Sequence, residues 1–160
     1  MLTEKIKKIG ALKKIVASLK IKNKKIVFTN GCFDLLHLGH VKYLEQAKKK
    51  GDILIVAVNS DSSVRKIKGK GRPLNNENDR VSLIAALESV DYAVIFSDET
   101  PIKIIQAIRP DILIKGADWK KDNIVGSKFV ASYGGKALTI ELIKGRSTTN
   151  LIRKIAKLRC

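Results

Sequence analysis

Histidine and cysteine are scarce in this chain. Only two histidines occur among 160 residues, and both lie in the stretch GCFDLLHLGH, as His37 and His40. Cys32 belongs to the same stretch, and the second cysteine, Cys160, is the last residue. Two cysteines so placed form neither a disulfide framework nor the spacing of a zinc site, so stability must come from a hydrophobic core.

Long apolar runs and aromatic residues are also few. No run approaches the roughly 20 apolar residues of a membrane-spanning helix. The N-terminal segment lacks the apolar core and the cleavage site of a secretory signal. We therefore expect a cytoplasmic protein with no membrane partner. Aromatic residues make up 5% of the chain, too few to predict a stacking platform for single-stranded nucleic acid.

Acidic residues are far outnumbered by basic ones. The chain has 15 aspartates and glutamates against 32 lysines and arginines, a formal net charge of +17. This excess permits binding of nucleic acid or of a small anionic substrate. Because the lysines are scattered, we interpret most of them as a solvated surface that attracts polyanionic small molecules. A basic nucleic-acid-binding protein remains a remote alternative.

Strand and helix patterns alternate along the sequence. Short β-branched or apolar segments predict strands at 25–29, 53–58, 92–96, 111–115 and 137–142. Periodic apolar positions predict helices at 3–20, 39–50, 77–89, 101–108, 123–133 and 148–158. The alternation predicts a parallel sheet with helices on both faces. We expect one domain over 1–160, with 1–22 as a helical appendage, and no strong pattern over 60–76.

Polar segments follow four of the predicted strands. They are residues 31–40, 59–73, 115–119 and 145–150. In a parallel sheet the carboxyl ends of the strands meet at one edge, where ligands bind. We therefore expect these four segments to form a single site.

The histidine pair admits three interpretations. Both rings could face a zinc ion, although no cysteine or carboxylate stands at ligand spacing. Both could also be core or capping residues. The third interpretation is favoured, because Gly39 and His40 stand at a predicted helix start, where free N–H groups and the helix dipole attract anions. Imidazole donors there would stabilise charge growing on the α-phosphate of a nucleotide.

The segment His37-Leu38-Gly39-His40 resembles the H-x-G-H signature of the nucleotidyltransferase superfamily. A second signature, the G-x-S-T-T of its cytidylyltransferase-like group, is matched by residues 145–149. The resemblance implies a Rossmann-like three-layer α/β/α sandwich with a central parallel sheet and an added N-terminal helix. Within this superfamily, the stretches 24–52, 58–80, 87–96, 109–119 and 145–152 resemble the heptose 1-phosphate adenylyltransferases.

This resemblance implies a reaction and its participants. The chain is expected to transfer AMP from ATP to D-glycero-β-D-manno-heptose 1-phosphate, giving ADP-heptose, a lipopolysaccharide core precursor, and pyrophosphate. Mg²⁺ is expected with the nucleotide, and a separate heptose-phosphate kinase and a homodimer are expected partners. A glycerol-3-phosphate cytidylyltransferase or another H-x-G-H enzyme stays open, because the residues do not decide between ATP and CTP.

Site residues are assigned by the same resemblance. His37 and His40 are expected to be catalytic. The expected nucleotide-binding residues are Asn30, Gly31, Cys32, Phe33, Asp34, Gly39, Lys42, Gly116, Asp118, Gly145, Ser147, Thr148 and Thr149. The expected sugar-phosphate residues are Asn59, Asp61, Lys68, Arg72 and Arg80. No protein ligand for a metal is identified.

Several of these residues keep a second interpretation. Ser147 and its two threonine neighbours could be an ordinary helix N-cap rather than a phosphate cradle. Asp34 could orient the histidine loop, hold Mg²⁺ through water, or be a turn residue. Cys32 could be a nucleophile, although a small semi-buried side chain is the preferred interpretation. Lys42 could reach a phosphate or lie on the surface.

The remaining ambiguities concern one loop and two single residues. Lys68 and Arg72 belong to a basic segment that is either a lid over the site or a solvated loop. Trp119 is assigned to core packing or to the nucleobase region with equal reason. Arg146 departs from the small or apolar residue expected between Gly145 and the hydroxyl run, and the sequence gives it no role.

Overall fold

A computed structural model describes residues 2–117 and 123–158. The elements are α1 (Leu2–Lys5), α2 (Ile9–Ile21), β1 (Ile26–Gly31), α3 (Leu38–Lys48), β2 (Ile53–Asn59), α4 (Asp61–Lys68), α5 (Glu77–Ala85), β3 (Tyr92–Phe96), α6 (Ile102–Ile108), β4 (Ile112–Gly116), α7 (Ser127–Ala131), β5 (Lys136–Ile140) and α8 (Thr148–Lys157). Across the two described ranges, the helices are too short or too polar to cross a membrane.

The strands form one parallel sheet in the order β3-β2-β1-β4-β5. Successive β1 side chains enter two different cores. Val27 packs in a core with residues of α3 and α5, whereas Ile26 and Phe28 pack with residues of α2, α6 and α7. The predicted three-layer α/β/α sandwich with a parallel central sheet is therefore confirmed.

The strand order places the site. From β1 the sheet continues through β2 on one side and through β4 on the other, so the crevice between β1 and β4 is the switch point where such sheets bind ligands. Lys115, at the end of β4, donates to the carbonyl of Asn30, at the end of β1, over 3.2 Å. The loop that carries both histidines leaves β1 at this point.

The prediction of one helix over 3–20 is wrong at its N-terminal end. Ile6 forms a parallel bridge with Ala93 of β3, and the N–H of Lys7 donates to the carbonyl of Ala93 over 2.9 Å. These backbone groups cannot also serve a helix, so α1 and α2 are separate. The bridge also covers part of the outer edge of β3, which would otherwise be open to pairing with another chain.

Helix α4 lies in a stretch where the sequence showed no strong pattern. Ser60 caps it, because its Oγ accepts from the N–H of Ser63 over 3.2 Å. Gly69 ends it with a φ of 89°, a conformation that favours glycine. The other predicted elements are present with shifted ends. For example, α5 ends at Ala85 rather than at 89, and α7 covers 127–131 rather than 123–133.

Candidate active site

His37 and His40 stack on each other at the start of α3. Their ring centroids are 3.8 Å apart and their planes differ by 21°. His37 immediately precedes α3, and its side chain does not cap the helix. In the part of the chain that the structure describes, Nδ1 of each ring is buried without a hydrogen-bond partner. Unpaired imidazoles beside an uncapped helix start are suited to binding an anionic group.

Both imidazoles are neutral at pH 7. Burial, with a smaller contribution from the adjacent His37 ring, lowers the pKa of His40 to about 4. Burial also lowers the pKa of His37, with a second contribution from the charge of Arg146. Each ring therefore offers a neutral N–H donor, and no repulsion arises between two imidazolium ions in contact.

The depressed pKa of His40 predicts a pH-dependent stability. Its folded pKa of about 4 lies below the ordinary value of 6.5, so between these values the unfolded chain binds the proton and the folded chain does not. The stability that the neutral His40 ring gives to the folded state is fully present above pH 6.5, and it is lost as the pH falls toward 4. We expect His40 to cost the folded state about 2 kcal/mol between pH 7 and pH 4.5.

Urea unfolding at both pH values checks this expectation. His40→Gln should lose less stability between pH 7 and pH 4.5 than the unchanged protein does, because glutamine does not titrate. Equal losses in the two proteins would show that His40 takes up its proton with its ordinary pKa.

Close packing explains the glycine between the histidines. A Cβ on Gly39 would lie 2.9 Å from atoms of the His37 ring and 3.3 Å from Cβ of Arg146. On the other side, the ring of Phe33 meets His40 edge-on at 5.3 Å between centroids. The two imidazoles are therefore held between a glycine and an aromatic ring. The sequence had suggested only that Gly39 lets a phosphate approach the backbone.

Gly39→Ala is expected to displace the His37 ring and to lower kcat/KM by about tenfold or more, the scale of a misplaced catalytic group. The matched control is Gly10→Ala in α2, where an added Cβ meets nothing within 4 Å. It should leave the rate unchanged. Full activity of Gly39→Ala would show that the position of the His37 ring does not affect the reaction.

Asp34 ties the histidine loop to the segment after α4. It is 2% exposed, and its carboxylate accepts from Nε of Arg72 at 2.6 Å and from the N–H groups of Leu74 and Asn75 at 2.8 and 3.1 Å. The side chain of Asn75 donates back to the carbonyl of Asp34 over 3.0 Å. Of the interpretations left open by the sequence, the geometry favours the one in which Asp34 orients the loop. Arg72 is engaged in this contact.

Arg80 is a buried clamp beside the same loop. Its side chain has no exposed surface, and it donates to the carbonyls of Cys32 and Asn75 at 2.6 and 3.0 Å. A third bond reaches Oδ1 of Asp61 at 2.7 Å. These partners occupy the Nε, Nη1 and Nη2 positions of the guanidinium. In this arrangement Arg80 and Asp61 hold the loop, and a role in binding the sugar phosphate stays a prediction.

Two further sugar-phosphate candidates differ in their surroundings. Asn59 is buried at the end of β2 and donates to Oγ of Ser63 over 2.9 Å. Lys68 is exposed at the end of α4, and its charge acts on Cys32. Burial raises the pKa of the Cys32 thiol above its ordinary value. A protonated thiol is a poor nucleophile, which favours the structural interpretation of Cys32.

Two further predicted nucleotide contacts, Lys42 and Gly116, lie among the described residues. Lys42 forms a salt bridge with Glu45 over 2.9 Å and is half-exposed. Asp118 and Trp119, expected near the nucleobase, lie outside the described residues. Gly116 ends β4, next to the β1 terminus.

The start of α8 is brought against the histidine loop. Oγ of Ser147 accepts from the N–H of Asn150 over 3.1 Å, so it is the N-cap of this helix. The hydroxyl of Thr148 donates to the carbonyl of Leu35 over 3.3 Å, while Thr149 is exposed. Gly145 precedes the cap with a φ of 76°. The capping interpretation therefore holds for Ser147, whose own O–H proton is still available to a phosphate.

Sequence reasoning left Arg146 without a role and missed Lys154. Arg146 and Lys154 line a cavity between α3 and α8, together with His37 and Ser147. A signal existed for Lys154, since it stands seven residues after Ser147 and thus on the same face of α8.

A sequence model of the cytidylyltransferase-like family matches residues 28–157 of the chain. The bifunctional protein HldE from Geobacter metallireducens is 50% identical over 153 residues, which are 96% of this chain and 31% of that protein. The HldE protein from Geobacter sulfurreducens is 48% identical over the same length. The chain thus spans 31% of the length of these curated relatives.

Two solved structures share the fold of this chain. A lipopolysaccharide core biosynthesis protein from Thermoplasma volcanium superposes with a TM-score of 0.64 and 35% identity, covering 77% of this chain and 99% of that one. Pantoate-beta-alanine ligase from Francisella tularensis superposes with a TM-score of 0.63 over 96% of this chain and 79% of its own. At 18% identity, the ligase supports the fold alone.

Proposed function

Because this chain belongs to the cytidylyltransferase-like family and is a nucleotidyltransferase, we propose that it transfers AMP from ATP to D-glycero-β-D-manno-heptose 1-phosphate. The products are ADP-heptose and pyrophosphate. The observation that carries this proposal is the stacked pair of neutral, unpaired imidazoles at the start of α3. Such a pair can donate hydrogen bonds to an α-phosphate while its negative charge grows.

The choice of heptose is supported by the relatives. The HldE proteins match nearly the whole of this chain, with 50% and 48% sequence identity. The Thermoplasma protein is named for lipopolysaccharide core biosynthesis, and ADP-heptose is a precursor of that core. Both relationships favour a sugar phosphate over an alcohol phosphate as the acceptor.

The reaction proceeds by in-line attack. A phosphate oxygen of the sugar 1-phosphate forms a bond to the α-phosphorus of ATP, and the bond from that phosphorus to the bridging oxygen of pyrophosphate breaks. A phosphate monoester is largely dianionic at pH 7, since its second pKa is about 6, so the nucleophile needs no base. His37 and His40 position the α-phosphate and stabilise its charge, and neither has to accept a proton.

Residues around the pair complete the proposed site. Ser147, Thr148 and Thr149 bind the β- and γ-phosphates at the start of α8. The β1 terminus and its loop hold the nucleotide, and Lys68 meets the sugar phosphate from the end of α4. Asp34, Arg72 and Arg80 keep the histidine loop in place through the contacts described above.

Mg²⁺ enters this proposal with the nucleotide rather than in a site built by the protein. Within residues 2–117 and 123–158, no three histidine, cysteine, aspartate or glutamate side chains are grouped to hold a metal ion. The carboxylate of Asp34, inside the histidine loop, is already bonded to Arg72 and two backbone N–H groups. The steps above do not depend on an Mg²⁺ ion held by the protein.

The setting of the enzyme is part of the same proposal. Residues 1–160 form one nucleotidyltransferase domain that acts in the cytoplasm as a homodimer. A separate heptose-phosphate kinase is the proposed source of the phosphate on the anomeric carbon of the sugar that the reaction consumes.

Pyrophosphate release tests the proposal. The purified protein is given ATP or CTP with Mg²⁺, and either heptose 1-phosphate or glycerol 3-phosphate. We expect release with ATP and heptose 1-phosphate only. Release confined to CTP and glycerol 3-phosphate would make the chain a glycerol-3-phosphate cytidylyltransferase. No release in any pairing, together with salt-dependent binding of RNA or duplex DNA, would favour the nucleic-acid-binding alternative.

A further inference from the structure

We propose that Arg146 and Lys154 supply the positive charges that bind the pyrophosphate half of the nucleotide beside the hydroxyl groups of the α8 start, and that Lys154 recognises the terminal phosphate. This inference rests on the proposed function, because it assumes a nucleoside triphosphate at the histidine pair. It assigns roles to two basic residues for which neither the H-x-G-H nor the hydroxyl motif accounts.

The cavity between α3 and α8 sets the geometry. His37 lines it from the start of α3. Arg146 and Ser147 line it from the residues just before α8, and Lys154 lines it from α8 itself. Cβ of Arg146 lies 3.3 Å from the point that a Cβ on Gly39 would occupy. The root of the arginine side chain is thus next to the α3 start, where the α-phosphate is proposed to bind.

Helix geometry places Lys154 in the same cavity but farther along α8 from Ser147. Seven residues separate it from Ser147, which is two turns or about 10 Å of α-helix. Side chains on a helix tilt toward its N-terminus, so the lysine side chain extends back toward the Ser147 cap. A triphosphate with its α-phosphate at His37 and its β-phosphate at the α8 start therefore directs its γ-phosphate toward Lys154.

Both cations are available for a ligand. Arg146 and Lys154 are exposed, and neither forms a salt bridge with a carboxylate in the part of the chain covered by the structure. Arg146 lines the same cavity as His37, and its charge lowers the pKa of that histidine. Arginine and lysine in this arrangement supply charge-assisted hydrogen bonds to phosphate oxygens.

The two residues should have different kinetic effects. The bond that breaks leaves new negative charge on pyrophosphate, next to Arg146, so Arg146 is expected to act on kcat. The terminal phosphate keeps its charge throughout the reaction, so Lys154 is expected to act on KM for ATP.

Calorimetric titration of ATP, ADP and AMP tests the role of Lys154. Lys154→Met should weaken ATP binding about tenfold and leave AMP binding unchanged. The matched control is Lys157→Met, because Lys157 is exposed on the same helix but does not line the cavity. Equal ATP binding by the two variants, or equal losses for ATP and AMP, would overturn the inference.

Arg146→Met is paired with Lys144→Met, an exposed lysine two residues earlier that does not line the cavity. We expect kcat to fall about tenfold in Arg146→Met only. NMR titration should also show a higher pKa for His37 in that variant, because a repelling charge is gone. An unchanged kcat would remove Arg146 from the site.

The proposed substrate and the proposed role of Lys154 are tested by different results. Nucleotide binding without heptose turnover would overturn the proposed substrate, while the comparison of ATP with AMP would still decide the role of Lys154. If the unchanged protein binds none of the three nucleotides, both the function and the inference fall.

Discussion

Replacing His40 by alanine is expected to lower kcat by about a hundredfold or more, the usual cost of one transition-state hydrogen-bond donor. His40 is held between the His37 ring and the edge of Phe33, with Nδ1 unpaired. The ring is therefore held in place before substrate binds, and alanine provides no replacement donor. The effect should fall on kcat more than on KM, because the hydrogen bond strengthens as charge develops.

A second substitution separates a neutral donor from an acid or base. The amide of His40→Gln can donate a hydrogen bond but cannot transfer a proton near neutral pH, so it should recover part of the rate lost in His40→Ala. Gln46→Ala is the matched control, exposed on the same helix. If both His40 variants keep the full rate, His40 has no part in the reaction. If glutamine is as poor as alanine, the neutral-donor mechanism is wrong.

Replacing Arg80 by methionine is expected to cost about 3 kcal/mol of the free energy of unfolding. The guanidinium is fully buried and bonds to Asp61 and to the carbonyls of Cys32 and Asn75. Methionine fills much of the volume but leaves the two carbonyls without these donors and Asp61 without its cation. The penalty lies at the lower end for a broken buried ion pair, because the side chain of Asp61 is 25% exposed and can be hydrated.

Urea unfolding at pH 7 measures this cost. Arg65→Met is the control, since Arg65 is an exposed arginine on α4. A loss below about 1 kcal/mol would show that the buried clamp is not important for folding. If the stability were unchanged while KM for the sugar phosphate rose, Arg80 would bind substrate directly, as the sequence had suggested.

The layered fold could be predicted because its causes are local. Apolar runs such as 53–58 are typical of strands buried on both faces, and their alternation with helical patterns leaves a parallel sheet as the natural arrangement. The break between α1 and α2 could not be predicted in this way. It depends on the pairing of Ile6 with Ala93. These two residues are far apart in the sequence, so no local pattern of apolar residues indicates that they pair.

Helix α4 is a different case, because its signals were in the sequence. Ser60 is a favourable N-cap, Asp61 stands in the first turn, and Gly69 follows the basic last turn. The glycine-rich and lysine-rich residues that follow made the whole stretch resemble a loop. Cap chemistry is a better guide than hydrophobic pattern for a helix of eight residues.

The candidate site was predictable where residue type determines chemistry, and less so where partners do. Both histidines and the α8 start are brought together as expected. The roles of charged side chains are harder to predict, because their partners are distant in the sequence. Asp34 bonds to Arg72, which is 38 residues away, and Arg80 bonds to the carbonyl of Cys32, which is 48 residues away. Such contacts give these side chains a role in positioning the histidine loop, and their role in binding a substrate stays a prediction.

The central claim is that a sugar-phosphate oxygen attacks the α-phosphorus of ATP at the histidine pair. Phosphorus NMR tests it most directly, with Mg²⁺, ATP and heptose 1-phosphate that carries oxygen-18 in its free phosphate oxygens. The account predicts ADP-heptose in which the oxygen between the two phosphorus atoms is labelled, seen as an isotope shift on the phosphorus that came from ATP. An unlabelled bridge, or no ADP-heptose at all, would contradict it.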